Sequence, residues 1–178
     1  VDTIFYGRID VKKASAFLFY SDQGIVKNLI HFLKYKNQPQ IGQFLGDWYG
    51  QVLKESNALD YIDIVIPVPL HKKKLTKRGY NQVMMFAESL SVHLKAELRP
   101  EVLIKIVDSR TQTRKRRLER IIDTSREYRL KDDHLLRNKH ILLVDDIITT
   151  GATLEACSSE LLSVSGVQLS FASMAFTT

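Results

Sequence analysis

Apolar positions along this chain fall into two rhythms. Ile25, Leu29, Phe32 and Leu33 recur at helical spacing after Gly24, which predicts a helix running to about Tyr35. Asn37, Gln38 and Pro39 break it. Ile41, Leu45, Trp48, Tyr49 and Leu53 then mark the apolar side of a second helix, with Trp48 expected in the core. Val83, Phe86, Ala87, Leu90 and Leu94 mark a third, and residues 151–162 a fourth. Between them lie short apolar runs at residues 16–20, 62–68, 102–107, 141–144 and 167–176, which read as strands. The runs at 62–68 and 141–144 are apolar almost throughout, as expected of strands covered on both faces. From residue 62 onward strands alternate with helices. That order predicts an α/β fold, a mainly parallel central sheet with helices on both faces, preceded by an N-terminal helical segment. Residues 1–60 are expected to pack as a strand and helices on a core formed by residues 61–178, the whole making one unit. In such sheets ligands bind beyond the carboxyl ends of the strands.

Composition narrows the class. With 178 residues, 44% of them hydrophobic and 26% charged, the chain is of one-domain size and of globular composition. No apolar run approaches the roughly 20 residues of a membrane span, and no signal peptide is visible, so a cytoplasmic protein is expected. The single cysteine, Cys157, excludes an internal disulfide and a cysteine-based zinc site, and it reads as a small buried hydrophobe. Five scattered histidines form no ligand cluster, so no zinc is expected in this chain.

The net charge of +6 says little, but its distribution says more. Lys72, Lys73, Lys74, Lys77 and Arg78 follow one another without an intervening acid. Arg110, Arg114, Lys115, Arg116, Arg117 and Arg120 meet only Glu119, and the rest of the chain is net acidic. Local basicity of this kind implies a localised polyanion, either a phosphate-rich small molecule or a nucleic-acid backbone; two solvated loops are the plainer alternative. The second run lacks an apolar stripe until Leu118 and reads as a mobile loop leading into a short helix.

One segment carries chemistry: Ile141-Leu-Leu-Val-Asp-Asp-Ile-Ile-Thr-Thr-Gly-Ala-Thr153. A buried strand delivers Asp145 and Asp146 to its carboxyl end, where paired carboxylates can accept hydrogen bonds from vicinal sugar hydroxyls. Thr149, Thr150, Gly151, Ala152 and Thr153 follow as a turn at a helix N-terminus, where free backbone N–H groups and the helix dipole suit a phosphate. An ordinary N-cap accounts for one threonine but not for two carboxylates before it.

This segment resembles the 5-phosphoribosyl 1-diphosphate (PRPP) binding motif of type I phosphoribosyltransferases. Asp63-Ile-Val-Ile-Pro-Val-Pro-Leu-His71 and Lys77-Arg-Gly-Tyr-Asn-Gln82 resemble the signature of the competence protein ComF family, which includes GntX-like proteins. Gln112, Thr113, Arg120, Tyr128 and the run Ile30-His-Phe-Leu-Lys-Tyr35 fit the same family, so the resemblance covers about residues 5–178. ComF-like proteins usually carry an N-terminal zinc ribbon. This chain starts at Val1, about where such a ribbon would end, which gives the expectation of a preceding segment or of a naturally ribbon-less form. The family's pattern departs here at Lys115 and Asp123. Thr149 stands where purine-salvage members resemble one another in having an aspartate, which argues against hypoxanthine or guanine salvage.

The resemblance implies a type I phosphoribosyltransferase fold and a set of roles. Asp145 and Asp146 would hold the ribose hydroxyls, directly or through Mg²⁺. Thr149, Thr150, Gly151, Ala152 and Thr153 would bind the 5′-phosphate. Leu70, His71 and Lys72 would form the pyrophosphate loop, Arg78 and Asn81 would line the acceptor side, and Arg114 and Arg120 would close over the site. Three functions stay open: a Mg²⁺-dependent phosphoribosyltransferase of unknown acceptor related to amidophosphoribosyltransferases, a non-catalytic PRPP-binding protein, and a single-stranded-DNA-handling protein of natural transformation. An oligomer is compatible with each.

Overall fold

The buried run at residues 141–144 is the axis of the fold. In the computed structural model, which describes residues 1–59, 61–107 and 127–177, it lies within strand β6 (His140–Ile148). On either side run β2 (Ile64–Pro67) and β7 (Gln168–Phe176), both parallel to it, with Ile141 opposite Ile64 and Leu169. β1 (Lys13–Phe19) extends the sheet beyond β7, and β3 (Glu97–Leu98) extends it beyond β2. The order is β1-β7-β6-β2-β3, and every pairing is parallel.

Successive residues of a strand point to opposite faces, so β6 serves two cores. Ile141 and Leu143 pack with Leu154, Cys157 and Leu161 of helix α5 (Ala152–Leu161). Leu142 and Val144 pack on the other side, with Leu33 of α1 (Ile25–Tyr35), Tyr49 of α2 (Gln40–Ser56) and Phe86 of α4 (Met84–Leu94). The N-terminal residues join both layers. Phe5 is buried on the α5 side with its ring edge-on to Phe171, centroids 4.8 Å apart. α2 lies close along α4 because Gly42, Gly46 and Gly50 recur every fourth residue on the contact face. A Cβ at Gly46 would stand 2.7 Å from Ser89 Cβ and 2.9 Å from the Phe86 carbonyl oxygen.

Three features differ from the hydrophobic pattern. The run at 102–107 does not join the parallel sheet. Its strand β4 (Leu103–Lys105) pairs antiparallel with β5 (Tyr128–Leu130) in a separate ribbon. Leu103 is buried and Ile104 exposed, so only one face is covered, as in antiparallel ribbons. The basic run after His71 contains a helix, α3 (Lys72–Arg78), started by His71 and stopped by Gly79 at φ 85°. It has no apolar stripe to announce it. Trp48 is 55% exposed instead of buried. The glycines and Leu45, Tyr49 and Leu53 occupy the inner face of α2, which leaves Trp48 on the rim beside Phe17, ring centroids 5.2 Å apart. Cys157 is fully buried, as expected. The loop expected at 110–120, with Arg114 and Arg120, lies outside the described residues. No helix among the described residues is long and apolar enough to cross a membrane.

Candidate functional site

A cleft of about 610 Å³ opens at the carboxyl ends of β2 and β6. Its floor is Asp145, Asp146 and Ile147 of β6. The turn after β2 and the start of α3 supply Val68, Pro69, Leu70 and His71. Lys74, Lys77 and Arg78 follow on α3 at helical spacing, which places them on one face of that helix. The end of α1 brings Lys34, Tyr35 and Asn37, and the β4–β5 ribbon brings Lys105 and Tyr128. Thr153, at the start of α5, completes the lining together with Tyr80 and Gln82.

The two carboxylates share the cleft but belong to opposite faces of the strand. Asp146 falls on the α1/α4 side. Lys34 Nζ donates to its Oδ1 at 2.9 Å and Gln82 Nε2 to its Oδ2 at 2.6 Å. Arg78 in turn donates to the Gln82 side-chain oxygen, and its guanidinium lies 5.7 Å from the centroid of the Tyr35 ring. Asp145 falls on the α5 side, where its Oδ1 accepts the Asp146 N–H at 2.8 Å. Burial, and then the neighbouring Asp146 charge, push the Asp145 carboxyl up to about 7. Lys105 is the nearby cation on that side. It donates to the Tyr128 hydroxyl at 2.9 Å, lies 4.7 Å from that ring's centroid and pairs with Glu127 at 3.3 Å. Burial also raises the Tyr128 hydroxyl and the Cys157 thiol, which keeps both protonated.

The turn expected to take a phosphate has two kinds of residue. Thr149, Thr150, Ala152 and Thr153 are exposed, and of these Thr153 lines the cleft. Gly151 is buried at φ 77°, and a Cβ there would meet Phe5 Cε1 at 2.6 Å. The close approach that requires glycine is therefore to the protein's own N-terminal segment. Arg8 ties that segment to the same turn by donating to the Thr150 carbonyl at 2.8 Å and pairing with Glu155.

Of the other residues singled out from sequence, Leu70, His71 and Arg78 line the cleft. Lys72 is exposed on the outer side of α3, and Lys74 and Lys77 take the inner side. Asn81 braces the wall: Nδ2 donates to the Val68 carbonyl at 3.0 Å and Oδ1 accepts the Val83 N–H at 3.1 Å. Lys34, Gln82 and Lys105 carry no predicted role, yet all three line the site. The signal for Lys105 is a charge on a short strand between apolar residues.

Magnesium is tested by the donor set. No group of three or more His, Cys, Asp or Glu side chains converges among the described residues, so no all-protein cage is present. Mg²⁺ is commonly held by one or two carboxylates together with ligand phosphates, and Asp145 fits that mode. Both oxygens of Asp146 already accept hydrogen bonds.

A family model, the phosphoribosyl transferase domain, matches residues 83–175, just over half of the chain. The chain belongs to this family. Within it the chain is ComF-like. It is 29% identical over 143 residues to DNA utilization protein YhgH of Shigella flexneri, covering 75% of this chain and 60% of that protein. It is 32% identical over 106 residues to competence protein ComFC of Bacillus subtilis, covering 56% and 38%. The chain thus spans about three-fifths or less of these relatives' lengths. Among solved structures, glutamine PRPP amidotransferase from B. subtilis, complexed with ADP and GMP, superposes with a TM-score of 0.50 at 14% identity, over 80% of this chain and 30% of that one. The likeness shows the fold: the phosphoribosyl transferase domain here has the type I architecture, with the cleft at the carboxyl ends of its parallel strands.

Proposed function

We propose that this ComF-like chain binds PRPP in the cleft and transfers its phosphoribosyl group to an acceptor, releasing pyrophosphate. In that reaction the bond from ribose C1 to the diphosphate oxygen breaks and a bond from C1 to the acceptor forms. The observation that carries the reading is the composition of one cleft. Five cations (Lys34, Lys74, Lys77, Arg78 and Lys105) surround a buried carboxylate pair. Carboxylates suit a sugar diol, and the cations suit a diphosphate and the charge that grows on it as it leaves. Thr153 and the exposed start of α5 suit the 5′-phosphate. Mg²⁺ held by Asp145 and the diphosphate would neutralise part of that charge. The first test is calorimetry with PRPP, with and without Mg²⁺, on the wild-type chain and on Asp145→Asn/Asp146→Asn. Mg²⁺-dependent binding that the double variant loses is the expected result. A folded wild-type chain that takes up no PRPP overturns the reading. Pyrophosphate release on addition of candidate acceptors then separates transfer from binding alone.

A second reading, handling of single-stranded DNA, is favoured by one observation. Phe32, Tyr35, Phe44 and Trp48 are exposed on the neighbouring helices α1 and α2, and bases stack on such rings. The names of the relatives, DNA utilization protein and competence protein, point the same way. Trp48 is the sole tryptophan, so its fluorescence reports directly on this face. An oligothymidylate is expected to quench it, with binding that weakens steeply as salt rises. Unchanged fluorescence at saturating oligonucleotide removes this reading.

A further inference from the structure

We propose that Lys34 is a ligand-binding residue of the cleft, shared between the Asp146 carboxylate and the diphosphate group of the ligand. This rests on the PRPP reading and adds to it a residue from outside the segment matched by the phosphoribosyl transferase family model, residues 83–175.

The placement of Lys34 is built. Ile30 and Leu33 anchor α1 in the core at 3% and 0% exposure. Tyr80 donates its hydroxyl to the Leu33 carbonyl, which fixes the last turn of the helix against the α3–α4 connection. Lys34 stands in that last turn, where a cation is favoured by the helix dipole. Its ammonium lines the cleft and makes one hydrogen bond among the described residues, to Asp146 Oδ1 at 2.9 Å. An ammonium has three N–H donors, so two are left for an anion. Its side chain is 21% exposed against 9% for Asp146, so an entering ligand can reach the lysine more readily than the acid.

The electrostatics assign the sharing. A diphosphate entering a cleft floored by two carboxylates meets repulsion unless their charge is offset locally. Gln82 braces Asp146 from the second oxygen and is itself held by Arg78, so the carboxylate stays in place when Lys34 turns toward a phosphate. Lys34 therefore senses whether a diphosphate is present. It neutralises Asp146 in the empty cleft and spreads its donors over both anions in the filled one. α1 becomes part of the binding site, not a support outside it.

Three probes separate this from neighbouring explanations: PRPP, inorganic pyrophosphate and ribose 5-phosphate, each titrated with Mg²⁺ into the wild-type chain, Lys34→Met and Lys34→Arg. Lys34→Met is expected to weaken PRPP and pyrophosphate by about 10–100-fold, the range of a lost charge-assisted hydrogen bond. Ribose 5-phosphate should change less than about threefold, and Lys34→Arg should restore most of the loss. Should Lys34→Met not fold, as shown by its melting curve, Lys34→Gln carries the same comparison. Wild-type affinity for pyrophosphate in Lys34→Met overturns the proposal. So does an equal loss for all three probes, which would make Lys34 a support acting only through Asp146. A wild-type chain that binds none of the probes overturns the PRPP reading and this proposal together, whereas one that binds PRPP regardless of residue 34 overturns the proposal alone.

Discussion

Asp145 is an acid held where its charged form is disfavoured. Its folded-state value of about 7 lies above the ordinary 3.8, because burial and the Asp146 charge both resist ionisation. The sign of the consequence follows from proton counts. Below about pH 4 the carboxyl is protonated in both states. Between about pH 4 and 7 the unfolded chain has released a proton that the folded chain keeps, so this group's contribution to stability falls as pH rises, and it levels off above pH 7. Asp145→Asn keeps the acceptor for the Asp146 N–H and removes the titration. It is expected to melt about 3–10 °C above the wild type at pH 8, with the gap closing toward pH 4.5. A gap that does not vary with pH would sink this account. Asp146 is held by two side-chain donors, the Lys34 ammonium and the Gln82 amide. Lys34→Met leaves a buried carboxylate short of its cation and should lower the melting temperature. Lys34→Met/Asp146→Asn should recover much of that loss, since it removes both members of the pair. With the wild type and Asp146→Asn these variants complete a cycle whose four melting curves measure the coupling.

At the scale of elements, two close approaches set the geometry around the cleft. The α2–α4 contact depends on bare backbone at Gly46, where an added methyl meets a backbone carbonyl that has no rotamer to yield. Gly46→Ala is expected to cost about 1–3 kcal/mol, read as a lower denaturant midpoint with an unchanged slope. Gly24→Ala, at the N-cap of α1 with the nearest atoms 3.7 Å away, is the clash-free control and should cost less, at most about 1 kcal/mol. The other approach is that of Phe5 to Gly151. It links the N-terminal segment to the turn that begins α5, so the residues expected to bind phosphate are steadied from outside their own motif. Elements also show what can be read before folding. α1, whose expected limits the structure reproduces, and the buried residues 141–144 announce themselves by period and by unbroken apolar character. α3 does not, because a short capped helix on the surface needs no apolar stripe. β3 has only two residues, and backbone pairing with β2 decides it, not its side chains. Trp48 has the correct helical phase for a core position, but glycines narrow the buried face and strand it at the rim.

For the whole molecule, the acid pair and the threonine turn were legible because they are contiguous in sequence. The cation set was only half legible. Lys74, Lys77 and Arg78 sit in a visible basic run, but which lysines face inward depends on a helix that the run does not declare. Lys34 meets Asp146 across 112 residues of chain, and no local pattern reports a contact of that range. A ligand that engages all these elements should stabilise them together. PRPP with Mg²⁺ at a hundredfold excess over its dissociation constant is expected to raise the melting temperature by about 5–10 °C, and the rise should shrink in Lys34→Met. Thermal scans at several ligand concentrations check this.

The sheet order bears on how the protein is made. β1 lies at the edge and pairs with the distant β7, with Lys13 opposite Ser170 and Phe19 opposite Phe176. During synthesis residues 13–19 emerge well before residues 170–176 and wait for them without their sheet neighbour. Such distant pairing is slow to close. In the interval Phe17 and Phe19 lack the partners that half-cover them later, and an uncovered strand edge is a template for a neighbouring nascent chain. Loss of residues 170–176 should therefore harm more than the cleft: it would orphan β1, and a chaperone would be expected to hold the chain until β7 has been made.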